Sequence, residues 1–177
     1  MSMAKGDTFF LRARVALDAS ATAYASADID ISAYTDPARG KVLVVDRGFI
    51  TFAGDGPAPL IEADVNSGAA SRACMTQACS ETQTDLTSVG ENNSVFMENT
   101  LYAATTGSAF SMIDQLQSLN PLEFTGGFII PTDKIHCGAK PDAAWAGALK
   151  ISFLFEVHTE KLSLSRIQEL LVSLTAN

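Results

Sequence analysis

Two histidines, three cysteines and a few spaced carboxylates are the residues of this 177-residue chain whose chemistry could drive a reaction or hold a metal. His136 and His158 both lie in strand-like sequence. A metal site inside a β-barrel wants about three histidines and a carboxylate converging on one point, which two imidazoles do not supply, so both read as ordinary strand residues. Cys74 and Cys79 are spaced Cys-x4-Cys with no second pair, whereas zinc ribbons use tighter pairs and four ligands. With Cys137, they read as buried small apolar side chains. Asp28 and Asp30 share one face of an alternating segment, and Glu62 and Asp64 repeat the pattern. Paired carboxylates are the material of glycoside hydrolysis. The alternation of Asp28 and Asp30 with Ile29 and Ile31 instead predicts a solvated strand face. No Gly-x-Ser-x-Gly elbow, phosphate loop or dinucleotide fingerprint occurs, and Gly107-Ser108-Ala109 lacks the second glycine of an elbow. Asn92-Asn93-Ser94 matches a glycosylation sequon and reads as a turn. Trp145 stands among Ala143, Ala144, Ala146 and Gly147. It reads as a plug at one end of the domain, with a subunit-contact anchor as the other reading. The expected set of catalytic, cofactor-binding and metal-binding residues is therefore empty, and the chain is not read as an enzyme.

The elements that would position these residues are mostly strands. Phe9, Leu11, Ala13, Val15 and Leu17 alternate with Phe10, Arg12, Arg14 and Ala16, a period of two that predicts a half-buried strand over Thr8–Leu17. Ala27–Tyr34 alternates again and is followed by the turn Asp36-Pro37-Ala38-Arg39-Gly40 and the apolar run Lys41–Ala53. Ala27–Ala53 therefore reads as a hairpin, with a bulge at Asp46-Arg47-Gly48 and a closing turn at Gly54-Asp55-Gly56-Pro57. Leu60–Val65 reads as a short strand and Asn66–Ser71 as a loop. Arg72–Thr87 reads as one long edge strand or two short ones. Gly90–Ser94 reads as a turn, and Val95–Thr105 as a strand anchored by Phe96, Leu101 and Tyr102. Ser111–Leu119 carries a helical stripe of Met112, Ile113, Leu116 and Leu119, with Ser111 as cap and Asn120-Pro121 as stop. Phe128–Ile130 is a strand that Pro131 interrupts and Ile135–Cys137 resumes, and Lys140-Pro141-Asp142 is a turn. Leu149–Thr159 alternates most clearly of all. A terminal helix over Ser163–Ala176 has Ser165 and Gln168 as a capping box and Ile167, Leu170, Leu171 and Leu174 as its apolar face. Seven to nine strands without a βαβ rhythm predict an all-β antiparallel sandwich of jelly-roll type, with one short internal helix and a C-terminal helix, as a single domain over 1–177.

Composition narrows the role. Apolar residues make up 47% and charged residues 18%, so the chain is rich enough in apolar groups to fold and poor in charge for its size. Ser, Thr and Ala take the place of the missing charge. A surface of that kind is cheaply desolvated and suits a protein covered by neighbours; a low-charge proteome is the other reading. Net charge is −8, and the 12 bases are spread along the sequence with no basic arm. Phosphate binding needs clustered cations, so direct nucleic-acid contact is not expected. Met1–Thr8 has no apolar core of a signal peptide, no run of 18 apolar residues spans a membrane, and three free thiols fit folding in a reducing host cytoplasm.

The order of elements resembles single jelly-roll capsid proteins of icosahedral viruses, in particular the small major capsid proteins of tailless viruses that enclose an internal membrane. The resemblance runs from the opening strand through Ala27–Tyr34, the Asp36-Pro37 turn and Val42–Phe52. It continues in the late pair Phe128–Cys137 and Leu149–Thr159 and the terminal helix, so it covers most of the chain. It implies a virion structural protein that self-assembles into capsomers of pseudo-six-fold shape and tiles a shell, without enzymatic activity or cofactor. Its partners would be copies of itself and other capsid proteins, with a membrane beneath the shell but not penetrated. The acidic charge then fits a chain kept from the genome by that membrane or by another protein. Two other classes stay open. A carbohydrate- or ligand-binding β-sandwich would need a row of exposed aromatics, from one Trp and three Tyr. A β-sandwich enzyme would need scattered acids to meet in a concave pocket.

Overall fold

Strict alternation fixes the two strands on which the molecule is built. In β9 (Leu149–Lys161), Leu149, Ile151, Phe153, Phe155 and Val157 are all buried, while Lys150, Ser152, Leu154 and Glu156 take the opposite side. β1 (Phe9–Leu17) lies antiparallel beside it in unbroken register, from Phe9 opposite Val157 to Leu17 opposite Leu149. Burying each large side chain of this inward row contributes about 1.5–3 kcal/mol. A shift by one residue would turn the whole row to solvent, so the register is strongly specified.

The computed structural model describes residues 7–55, 58–65, 71–106 and 109–175. Between β1 and β9 run β2 (Ala25–Asp30), β3 (Lys41–Ala53), β4 (Ser71–Cys79), β5 (Val95–Thr106), β6 (Ala109–Leu119), β7 (Phe128–Ile130) and β8 (Lys134–Pro141), with a single helical turn α1 (Glu62–Val65) and the helix α2 (Leu164–Thr175). They form two antiparallel sheets, β1-β9-β3-β7 and β2-β8-β4-β5-β6. The pairings are nested: β1 with β9, β2 with β8, β3 with β7, and β4 with β5. The chain is folded like one long hairpin wrapped into two layers, with β6 added at the edge. This is a jelly roll, as the strand pattern predicts.

The bulge expected at Asp46 is present, and it governs which residues reach the core. Register shifts between Val45 and Arg47, so that Leu43 and Val45 face the core before it, and Ile50 and Phe52 after it. Without the extra residue, Arg47 and Phe49 would point inward instead. Gly48 sits beneath Met97 and Phe155, where a Cβ would collide with Met97 Sδ. Phe155 and Phe128 both pack on Phe96, with ring centroids 5.9 Å and 4.8 Å apart.

Several expectations are corrected. Ala27–Ala53 is not a hairpin: β2 and β3 belong to different sheets, and the Asp36–Gly40 turn carries the chain from one to the other. That turn is a 3-10 turn over Pro37–Arg39, with the Asp36 side chain as its cap and Gly40 left-handed at φ 83°. Ser111–Leu119 is not a helix. β6 pairs with Glu98–Thr106 of β5, with a register shift between Glu98 and Thr100, and the gain of this ladder outweighs a weak helical stripe. Ser111 therefore caps nothing. Leu60–Val65 holds the one-turn helix α1 rather than a strand. β4 ends at Cys79 and lies in the middle of its sheet, not at an edge. Tyr102 is exposed, whereas Phe96 and Leu101 are buried anchors. Ile135–Cys137 does not resume β7 but belongs to β8 in the other sheet, and Lys140 and Pro141 end that strand rather than form a turn. The cap of α2 is Ser163, whose Oγ accepts from Arg166 N at 3.4 Å, not Ser165. Residues 66–70 of the Asn66–Ser71 loop, 56–57 of the Gly54–Pro57 turn, and Gly107-Ser108 lie outside the described residues.

The two ends of the sandwich are closed differently. At one end Trp145 is 2% exposed, the plug the sequence favours. Its carbonyl accepts from Ser20 N at 2.8 Å, and the neighbouring Ala144 carbonyl accepts from buried Arg72 at 2.6 Å. At the other end α2 lies against the 3-10 turn of Pro37–Arg39, and Asn93 Nδ2 donates to Ser173 O at 3.0 Å. Within this arrangement Trp145→Ala leaves a large cavity and should lower the unfolding free energy by about 3–5 kcal/mol, while Trp145→Phe should lose clearly less. Urea denaturation followed by far-UV circular dichroism checks both.

Candidate functional site

The chemistry-bearing residues cluster on the outward side of the sandwich, where strand register brings them into rows. On the five-stranded sheet, Asp28 of β2 faces His136 of β8, and His136 faces Cys79 of β4. Directly opposed residues of antiparallel strands share a face, so carboxylate, imidazole and thiol lie in one row. His136 Nδ1 is 2.5 Å from Asp28 Oδ1, and His136 Nε2 is 2.8 Å from Tyr24 Oη. The carboxylate only accepts, so Nδ1 carries the proton of the neutral ring and Nε2 accepts from the Tyr24 hydroxyl. Tyr24 lies flat across Gly138, where any Cβ would collide with its ring. Burial pushes the Tyr24 hydroxyl well above its ordinary range.

This row has the residue types of a nucleophilic triad but not its chemistry. Cys79 is fully buried, and desolvation pushes its thiol up to about 12; the thiolate is the nucleophile. Tyr24 occupies the ring nitrogen that would have to receive a thiol proton. The row instead fastens Tyr24 and the edge strand β2 onto β8. Asp28 is thus a hydrogen-bond partner rather than a freely solvated carboxylate, which the strand alternation did not reveal. Asp30 is exposed as expected, and hydrogen bonds from Ser32 hold its carboxyl below the usual range. Asp64 Oδ2 accepts from Ile61 N at 3.0 Å, just before α1, and Glu62 is exposed. Asn92 Oδ1 accepts from Ser94 N at 2.9 Å, the turn predicted for the sequon.

His158 forms a second fastener on the other sheet. Its Nδ1 meets Asp46 Oδ2 at 2.7 Å and its Nε2 meets Glu160 Oε1 at 3.3 Å. The bulge residue is therefore tied to β9 by its side chain, at the place where the backbone ladder skips it. Among the described residues, no group of three or more His, Cys, Asp or Glu could hold a metal ion.

Outside these fasteners, the two sheets present different outer faces. The stretch Ser80–Ser94 leaves β4 and is pinned to the five-stranded sheet. Gln77 Nε2 donates to Thr87 O at 2.5 Å, Thr87 N donates to Gln77 Oε1 at 3.0 Å, and Lys140 Nζ reaches Asp85 Oδ2 at 2.6 Å. At the far side of that sheet Tyr102 and Ile113 stand opposite each other and are both exposed. On the four-stranded sheet, β1, β9 and β3 expose Phe10 (53%) and Phe49 (47%), with Leu154 directly opposite Phe49. β7 pairs only with Leu43–Val45, so beyond the bulge β3 has no further strand on that side among the described residues. An apolar groove of about 580 Å³ lies there, lined by Phe49, Phe52, Met97, Leu119 and Leu122 among others.

The cysteines give a direct test of burial. Desolvation pushes Cys74 and Cys79 from 9.0 up to about 12, and Cys137 well above 9.0. The folded state thus holds these protons more tightly than the unfolded chain. Their stabilising contribution is full below pH 9 and is lost as pH rises toward 12. In native protein near pH 8 an aromatic disulfide reagent should leave all three thiols unlabelled, and denaturant should release all three. The midpoint of urea unfolding should fall as the pH is raised above 9.

No family model matches the chain, and no curated protein matches it in sequence. Solved structures do resemble it. The unassembled VP1 pentamer of Merkel cell polyomavirus aligns over 92% of this chain and 99% of the VP1 chain, at 8% identity and a TM-score of 0.46. VP1 of Trichodysplasia spinulosa-associated polyomavirus, solved in complex with sialylated glycooligomers, aligns over 92% and 98%, at 9% identity and 0.41. A protein of Desmodium yellow mottle tymovirus aligns over 89% and 90%, at 11% identity and 0.34. The assignment of this chain to the jelly-roll fold rests on the pairing order of its own strands.

Proposed function

We propose that this chain is a structural subunit of a viral capsid, one that associates with copies of itself into capsomers and a shell and performs no catalysis. The observation that carries this reading is the outer face of the four-stranded sheet. Its residues point away from a core that is already complete, yet it offers two half-exposed phenylalanines and Leu154 on a rigid β-surface. Exposed aromatic clusters on otherwise well-packed proteins mark contact surfaces. The fastened histidines support the same reading. They spend their hydrogen-bonding capacity inside the subunit and hold edge strand and bulge in place, which suits a part that must keep its shape under contact.

Purified protein should show a concentration-dependent mass by light scattering, with rings or shells in negative stain. Phe10→Asp with Phe49→Asp should shift it to monomer without lowering the thermal midpoint by more than about 2–4 °C, the effect of roughly 1 kcal/mol in a domain of this size. Wild-type protein that stays monomeric at every concentration tested would defeat the reading.

A further inference from the structure

The bases are spread along the sequence, but the fold gathers several of them. Arg12 and Arg14 are i, i+2 neighbours on the outward side of β1, and Lys150 stands on β9 opposite Ala16, diagonal to Arg14. Arg47 is added from β3, where it pairs with Glu156 at 2.8 Å. Arg12, Arg14 and Lys150 have no acidic partner among the described residues. The same face carries Phe10, Phe49 and Leu154. In a chain of net charge −8, the part of this face formed by Arg12, Arg14 and Lys150 is therefore cationic beside its aromatic residues, while Glu156, Asp46 and Glu160 are taken up by Arg47 and His158 towards its other end.

The opposite side of the sandwich is acidic. β2 presents Asp28 and Asp30, and the covering stretch Ser80–Ser94 adds Glu81 and Asp85. Lys134 and Lys140, the bases there, are already taken up, lying 3.9 Å from Asp28 and 2.6 Å from Asp85.

We infer that the outer face of the four-stranded sheet docks onto the acidic outer side of a second copy, the side formed by β2 and the Glu81–Asp85 region. This deepens the proposed function and rests on it. Charge decides the geometry. Two copies meeting through the same cationic face would set arginine against arginine, and like-charge juxtaposition across an interface costs several kcal/mol. The face must therefore meet a different patch, so the contact is heterologous, head to tail. Such contacts close into rings when the rotation between copies permits and grow as open chains otherwise. The aromatic residues supply burial, and the charges supply register and exclude the two-fold alternative.

A charge-swap experiment tests this. One variant carries Arg12→Glu and Arg14→Glu, and the other Asp30→Lys and Glu81→Lys; Arg12, Arg14 and Asp30 are exposed, Glu81 is half-buried, and none belongs to the histidine fasteners. Each variant alone should need at least about tenfold more protein to form large species than wild type. An equal mixture should assemble near the wild-type concentration, because the acidified face of one variant then meets the basified side of the other, and the two unaltered patches meet each other. Raising salt from about 0.05 M to about 0.5 M should weaken wild-type assembly. If wild type assembles and the single variants assemble equally well, or if the folded variants fail to rescue each other, the docking inference is wrong while the capsid reading stands. If the Arg12→Glu, Arg14→Glu variant assembles normally but loses binding to anionic vesicles or to a single-stranded oligonucleotide, the face serves a different partner. A wild-type chain that never assembles overturns both. Matching far-UV circular dichroism and thermal midpoints establish that each variant is folded.

Discussion

The sandwich depends on β9 having a partner on each side and a buried residue at every second position. Leu149, Ile151, Phe153, Phe155 and Val157 supply the central row of one core wall. β1 meets this strand without interruption, but β3 can do so only with an extra residue. The bulge at Asp46 is therefore a condition of the fold. It lets a thirteen-residue strand keep apolar residues inward at both ends, while Arg47 and Phe49 turn out. The His158–Asp46 contact and the side-chain-free Gly48 follow from that one inserted residue. So does the outer face, since Phe49 and Arg47 reach it only because parity has been reset.

Where a strand is half-buried, the sequence declares it. β1 and β9 alternate without a break, and their limits lie within two residues of the pattern's prediction. The bulge was legible too, because a glycine inside a strand often marks one. Partnership was not legible. Ala27–Tyr34 and Lys41–Ala53 look like a hairpin because a good turn joins them, and nothing local says that one strand goes to each sheet. The spacing of β6 misleads for a related reason. Met112, Ile113, Leu116 and Leu119 suit a helix by spacing, while the determining force, the long ladder offered by β5, lies elsewhere in the chain. The site was hidden in the same way. Asp28, His136 and Cys79 are far apart in sequence and become a row only through register, and Tyr24 stands in a run of small and polar residues just before β2.

Buried polar groups on the outside of a sheet usually need a reason, since unpaired they cost about 1–3 kcal/mol each. Here His136 and His158 have both ring nitrogens engaged. Each ties a weak point of the sandwich to a strong one: the edge strand β2 to β8, and the bulged β3 to β9. Such fastening leaves the sheet surfaces stiff. A stiff surface loses little conformational entropy when another body settles on it, so a face with few large side chains can still contribute to association. The low charge of the chain acts in the same direction by lowering the cost of removing water.

The nested pairing also has a consequence in time. Phe9–Leu17 finds its partner only in Leu149–Lys161, so this early strand of the sandwich waits for one made more than a hundred residues later. At about 5–20 residues per second on a ribosome, that wait is roughly 7–30 seconds. Local ladders such as β5 with β6 can form early, whereas the four-stranded sheet closes late, as expected for non-local topology. Its outer face does not exist until β9 has joined β1 and β3, so sandwiches that still lack this strand are kept from joining each other through it.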